Sequence, residues 1–177
     1  MACDFITSGR TEPCRDSVGG IKEVYFVEFG TLGAVTYDSL DEDVIDAIGG
    51  TPTAYKYEVR GNSSFTQNIQ SSDETGTTAF EQVVELTLKK LSADDHKKVK
   101  LLAHGRPHII VRDQNDNLFL GGLENGLVVT GGTIVTGAAM SELSGYTLTF
   151  TGMEKVPANF IDDTTLAGAG FTVPTVS

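Results

Sequence analysis

Between Phe80 and Leu91 the chain alternates. Phe80, Gln82, Val84, Leu86 and Leu88 fall on one side, and Glu81, Val83, Glu85, Thr87 and Lys89 on the other. That period of two is the pattern of a half-buried strand. Twelve residues at roughly 3.3 Å each span about 40 Å, about twice a typical strand. A strand so long is expected to extend beyond its own domain and pair with a neighbour. Thr53 to Arg60 alternates too, as do Ser63 to Ser71, more thinly, and Gly145 to Gly152, most cleanly. Gly61-Asn62 reads as a hairpin turn and Ser72 to Thr78 as a polar loop. Thr53 to Leu91 is thus expected to form an antiparallel meander with one wet face. Ile21 to Phe29 and His108 to Arg112 are apolar on both faces, as in buried strands, and Leu118 to Leu120 is a shorter return strand.

One segment breaks the period of two. Ser92 followed by Asp95 has capping-box spacing, and Val99, Leu102 and Ala103 form an apolar stripe, so a helix is predicted over about 92–104. Gly105 and Pro107 end it. Gly131-Gly132 and Gly137 mark the stretch up to Leu143 as loop-like. Asp38 to Asp46 fits either a helical turn or a short strand. Residues 1–20 read as an irregular lead-in, 21–158 as a single β-rich domain, and 159–177 as a C-terminal arm, frayed or docked onto a neighbour.

Charge narrows the function. Thirteen basic against 24 acidic residues leave a net of −11, the wrong sign for steady binding to a phosphate backbone. Twenty glycines among short apolar runs point to a turn-rich β protein. The first ten residues lack a basic stretch followed by an apolar one, and no apolar run approaches the ~18 residues of a membrane span. A protein made and folded in the cytoplasm is expected. Cys3 and Cys14 do not amount to a disulfide framework. They read as two reduced cysteines, with a small disulfide loop or half of a metal site as alternatives.

Candidate chemistry is thin. Asp113, Asn115 and Asn117 alternate like the start of a calcium loop, but the glycine and distal glutamate are missing, so a tight hairpin is expected. His96, His104 and His108 include one i, i+4 pair without a third metal ligand. Gly121-Gly122 and Gly131-Gly132 lack the lysine and hydroxyl of a phosphate loop. Asp41 and Asp43 flank Glu42 as an acid–base pair would, yet a solvated acidic surface accounts for them. No cofactor, metal or catalytic residue is expected, and the protein is read as not an enzyme.

The second half carries an ordered pattern. Leu-Leu-Ala-His-Gly-Arg closes the helix, Ile-Ile-Val-Arg-Asp and Asn-Asp-Asn follow, and after a glycine-rich excursion comes Gly-Tyr-Thr-Leu-Thr-Phe-Thr-Gly-Met-Glu-Lys-Val-Pro-Ala. The chain resembles the virion structural proteins of tailed bacteriophages, most of all the tail-tube type, over Thr53 to Ala158. The resemblance implies an antiparallel β-sandwich or barrel with one packed helix. It also implies stacked, commonly hexameric rings around a DNA channel, within the virion tail. Self and other virion proteins are the implied partners, with DNA passing through unread and no membrane. Phe80, Val84, Leu86 and Leu88 of the long strand, with Ser72 and Thr78 of the preceding loop, are the expected inter-subunit contacts. Glu42, Asp43, Asp73 and Glu74 are the expected acids of a channel that repels phosphates. The rival readings are a head-tail connector, a tail terminator, a capsid decoration protein, or a non-viral β-sandwich that binds a ligand.

Overall fold

The structure, a computed structural model, describes residues 8–59, 61–162 and 165–175. It is mainly β, with two sheets and one helix. The seven-stranded sheet contains β1 (Ile21–Val27), β2 (Val35–Tyr37), β3 (Val44–Ile48), β4 (Ala54–Glu58), β7 (His108–Asp113), β8 (Leu118–Gly121) and β11 (Asn159–Ile161), in the order β2-β3-β11-β8-β7-β1-β4. The four-stranded sheet contains β5 (Ser64–Ser72), β6 (Thr77–Lys89), β9 (Val128–Val135) and β10 (Gly145–Glu154), in the order β5-β6-β10-β9.

The two sheets face each other across one core. Val24, Phe26, Ile109 and Val111 from the larger sheet meet Val84, Leu86, Leu148 and Phe150 from the smaller, the inward halves of alternating strands. Helix α1 (Ala93–His104) closes one end of this sandwich by burying Val99, with Leu102 packed beside it. Its predicted cap forms: Ser92 Oγ accepts the Asp95 N–H at 3.1 Å and donates to the Asp95 carboxylate at 2.6 Å. Gly105 ends the helix in an extended conformation (φ −96°) rather than a left-handed one, its N–H still donating to the Leu102 carbonyl. The chain thus runs straight on through Pro107 into β7.

A second core lies on the other face of the larger sheet. There Tyr25, Val27, Ile110, Leu118 and Leu120 pack under Leu166, Ala169 and Phe171. This corrects the reading of 159–177 as a frayed or neighbour-bound arm. Asn159–Ile161 is a strand inside the sheet, parallel to β3 and antiparallel to β8. The segment beyond it covers its own chain, fastened by Ile48 N–H to the Ala169 carbonyl and Ala54 N–H to the Thr172 carbonyl, both 2.8 Å. Both faces of β1 and β7 are apolar because each faces a core.

Two further expectations change. Gly61-Asn62 joins no hairpin, because β4 pairs with β1 in one sheet and β5 with β6 in the other. The turn is a crossover between sheets, and Arg60, the expected end of the preceding strand, lies outside the described residues. The first part of the stretch expected to be loop-like, 131–135, belongs to strand β9, which runs through Gly131-Gly132 with a register shift opposite Thr149 and Phe150, whereas 136–143 lies outside any strand. Glycine is required at 132 because a Cβ there would run into the Thr147 carbonyl, so the residue marks close strand approach rather than a break.

Candidate functional site

The long strand is central, not peripheral. β6 has 13 residues, paired with β10 from Phe80 to Lys89 and with β5 from Thr77 to Glu85. Its length is therefore used within the chain. Val84 and Leu86 are fully buried in the core and Leu88 packs against it, so these three expected contact residues are taken up by the subunit itself. Phe80 is half-buried, opposite Ile69 and Glu154. Ser72 and Thr78 belong to the part of the β5–β6 hairpin that extends past the last residue of β10. Ser72 Oγ accepts the Thr75 N–H and the Thr78 hydroxyl meets that of Ser71 at 3.1 Å. Alternation along β6 identified a strand but could not say that both of its edges are covered.

The open edges lie elsewhere. β5 and β9 are the outer strands of the smaller sheet. Ile69 on β5 is 71% exposed and Ile134 on β9 is 52% exposed, although both occupy core-facing positions of the alternation. Beside β5 the sandwich mouth is aromatic, with Phe65 6.1 Å from Phe119 and Phe119 4.6 Å from Phe160. On the face away from the core, Glu81 and Glu85 of β6 stand in rows with Met153 and Thr149 of β10.

The four expected channel acids are not grouped. Glu42 and Asp43 precede β3 of the larger sheet, where the Asp43 carbonyl accepts the Phe160 N–H at 3.0 Å. Asp73 and Glu74 occupy the turn of the β5–β6 hairpin. All four are exposed, but they belong to different loops on different sheets.

The remaining candidates resolve into structure. Both oxygens of the Asp113 carboxylate are engaged by its own loop: Oδ1 accepts the Asn115 and Asn117 N–H groups at 2.9 and 2.8 Å, and Oδ2 accepts their side-chain amides. Asn115 in turn clips the backbone of Val18, its Oδ1 accepting the Val18 N–H and its Nδ2 donating to the Val18 carbonyl. This pins the end of the lead-in, whose residues from Ser8 to Gly20 are exposed. Cys14 is exposed, and Cys3 lies outside the described residues. Among the described residues no three His, Cys, Asp or Glu side chains gather as metal ligands.

Buried polar groups are where the sequence reading fell short. His108 stacks on Phe29 at 5.0 Å, and the Arg106 guanidinium lies over the Phe29 ring, 3.8 Å from its centre. Burial holds its pKa below the ordinary value. Glu154 is buried, its Oε1 accepting the Glu124 and Asn125 N–H groups at 3.2 and 2.8 Å, and burial raises its pKa despite those bonds. Glu23 is also drawn upward by burial, but Lys56 at 2.7 Å and the Tyr25 hydroxyl at 2.6 Å outweigh this and lower its pKa. Burial and the bond to Glu23 push Tyr25 up to about 12. A signal existed for Glu154 and for Gln82, which is buried as well: both stand at apolar positions of their strands, and a polar residue there must find a buried partner.

Comparison with family models, with curated proteins and with solved structures finds no match for this chain.

Proposed function

We propose that the chain is a structural virion protein that pairs with copies of itself into the stacked rings of a phage tail tube, without catalysis. The observation that carries this reading is the geometry of the smaller sheet. Its neighbouring strands are all antiparallel, so its outer strands β5 and β9 run in opposite directions. Joining β9 of one copy to β5 of the next therefore continues an antiparallel sheet, and repetition of that contact around a closed ring leaves the smaller sheets with no free edge. The strands are also staggered. β9 lies opposite Gly145–Thr151, whereas β5 reaches past Glu154 towards the hairpin, the offset that tilted strands need to form a barrel wall.

In such a ring, the outward face with Glu81, Glu85, Thr147, Thr149 and Thr151 lines the channel. Carboxylates there repel DNA phosphates within a Debye length of about 8 Å at physiological salt. Six copies per ring is the number the family resemblance implies. The test is negative-stain electron microscopy with light scattering over a range of concentrations. Stacked rings with a central hole are expected. A protein monomeric at every concentration would overturn the reading, and isolated rings that never stack would point to a connector or terminator.

A further inference from the structure

The charge of this acidic chain is sorted along one strand. Residues 61–88, the β5–β6 hairpin and most of β6, carry four acidic residues and no basic one. Residues 89–106, the end of β6 and the helix, carry six basic and two acidic residues. They therefore hold six of the 13 basic residues in the chain. The hairpin turn, with Asp73 and Glu74, lies at one end of β6, and Lys89 and Lys90 lie at the other. Thirteen residues at roughly 3.3 Å each set the two ends about 40 Å apart.

The basic end is also presented outward. On α1, Lys97, Lys100 and His104 fall on one face by helical spacing, opposite Val99 and Leu102, which pack on the core. All three are exposed. Lys98 is held by Asp94 at 2.7 Å, whereas among the described residues no ion pair engages Lys89, Lys90, Lys97 or Lys100. At the other end, Asp73 and Glu74 are exposed in a two-stranded hairpin tip that projects past the sheet.

We propose that the lysine face of α1, with Lys89 and Lys90, is the docking surface for the acidic hairpin tip of a second copy of this chain. Copies arranged head to tail along the β6 direction bring the two charge blocks together. The opposite stacking order sets like charges against each other, so the contact also sets polarity. This inference deepens the stacked-ring reading and rests on it for its axial arrangement, but the pairwise contact is testable by itself.

The test uses the full chain with D73K/E74K and K97E/K100E, all at exposed positions, with circular dichroism and thermal melting to verify the fold. At low salt, each variant alone should raise the concentration needed for stacking by ~10-fold or more. An equimolar mixture should recover much of that loss, because the reversed helix face still meets its complement. Variants that stack like the wild type would overturn the proposal. Independently, carbodiimide coupling of mixed isotope-labelled and unlabelled wild type should join Asp73 or Glu74 of one copy to Lys89, Lys90, Lys97 or Lys100 of another. Absence of those inter-copy links at the highest concentration would also overturn it. Links found in a protein that never forms rings would sustain the contact and overturn the ring reading instead.

Discussion

Gln82 and Gly122 join the two sheets through one buried hydrogen bond: the Gln82 Oε1 accepts the Gly122 N–H at 2.8 Å. The carbonyl of the same glycine accepts from Nδ1 of His108 at 2.6 Å. The backbone of a single residue is thus held by β6 of one sheet and β7 of the other. The residue must be glycine, with φ +69° and no room for a Cβ beside the Gly126 backbone. The arrangement assigns the neutral His108 tautomer with its proton on Nδ1, leaving Nε2 to accept the Gly30 N–H at 3.4 Å.

Gln82→Leu is expected to leave the buried Gly122 N–H without its acceptor and to cost about 1–3 kcal/mol of stability. Gln82→Glu keeps an acceptor but buries a charge, so it should be at least as harmful above neutral pH and recover on acidification. Urea unfolding at two pH values checks both. A Gln82→Leu protein as stable as the wild type would show that the bond contributes nothing net.

Acidification should weaken the fold through His108. Its folded pKa is depressed, and its unfolded value is near the ordinary ~6.5. Between those values the unfolded chain binds more protons, so stability falls as pH drops through about 6.5 and stops falling once pH is below the folded value. Glu154, with a raised pKa, acts with the opposite sign above its own unfolded value, so a single melting curve mixes the two. Comparison with His108→Asn, which keeps an N–H donor for Gly122 and removes the titration, isolates the histidine. The wild type should lose more stability than the variant between pH 7.5 and 5.5, and equal losses would refute the assignment.

Removal of the C-terminal cover should damage the fold itself. Phe171→Ala is expected to cost about 3–5 kcal/mol, because the ring is buried on the second core. Truncation after Asp162 should leave a chain that exposes Tyr25, Ile110, Leu118 and Leu120 and aggregates. A truncated protein with unchanged melting would show that the segment is dispensable, as an arm for a neighbour would be.

Ile69→Lys and Ile134→Lys separate assembly from folding. Both positions are more than half exposed, so each change should alter subunit stability by no more than about 0.5 kcal/mol. On open sheet edges, however, a lysine opposes pairing with a second copy, so sedimentation velocity should show loss of rings. Rings unaffected by both substitutions would count against β9–β5 closure.

Much of the local structure was legible in the chain because it depends on neighbours in sequence. The 3.6-residue stripe and the Ser92–Asp95 spacing identify α1, alternation identifies β5, β6 and β10, and apolar runs identify β1 and β7 as buried on both faces. The Asp113–Asn117 turn follows from side chains that bond to their own backbone. Strand partners do not follow in this way. The pattern of β6 is the same whether its edge meets β5, β10 or another molecule, so its burial in the sheet interior became visible only in three dimensions. Gly61-Asn62 has hairpin chemistry but crosses between sheets because β1 and β6 provide the partners of the strands it joins. Gly131-Gly132 looks like a break until the approach of β10 explains the missing side chains. The final segment is small and nearly uncharged, a composition that suits a loose arm and a core lid equally. Its role was decided by the apolar outer face of the larger sheet, which needs cover that only distant residues can supply.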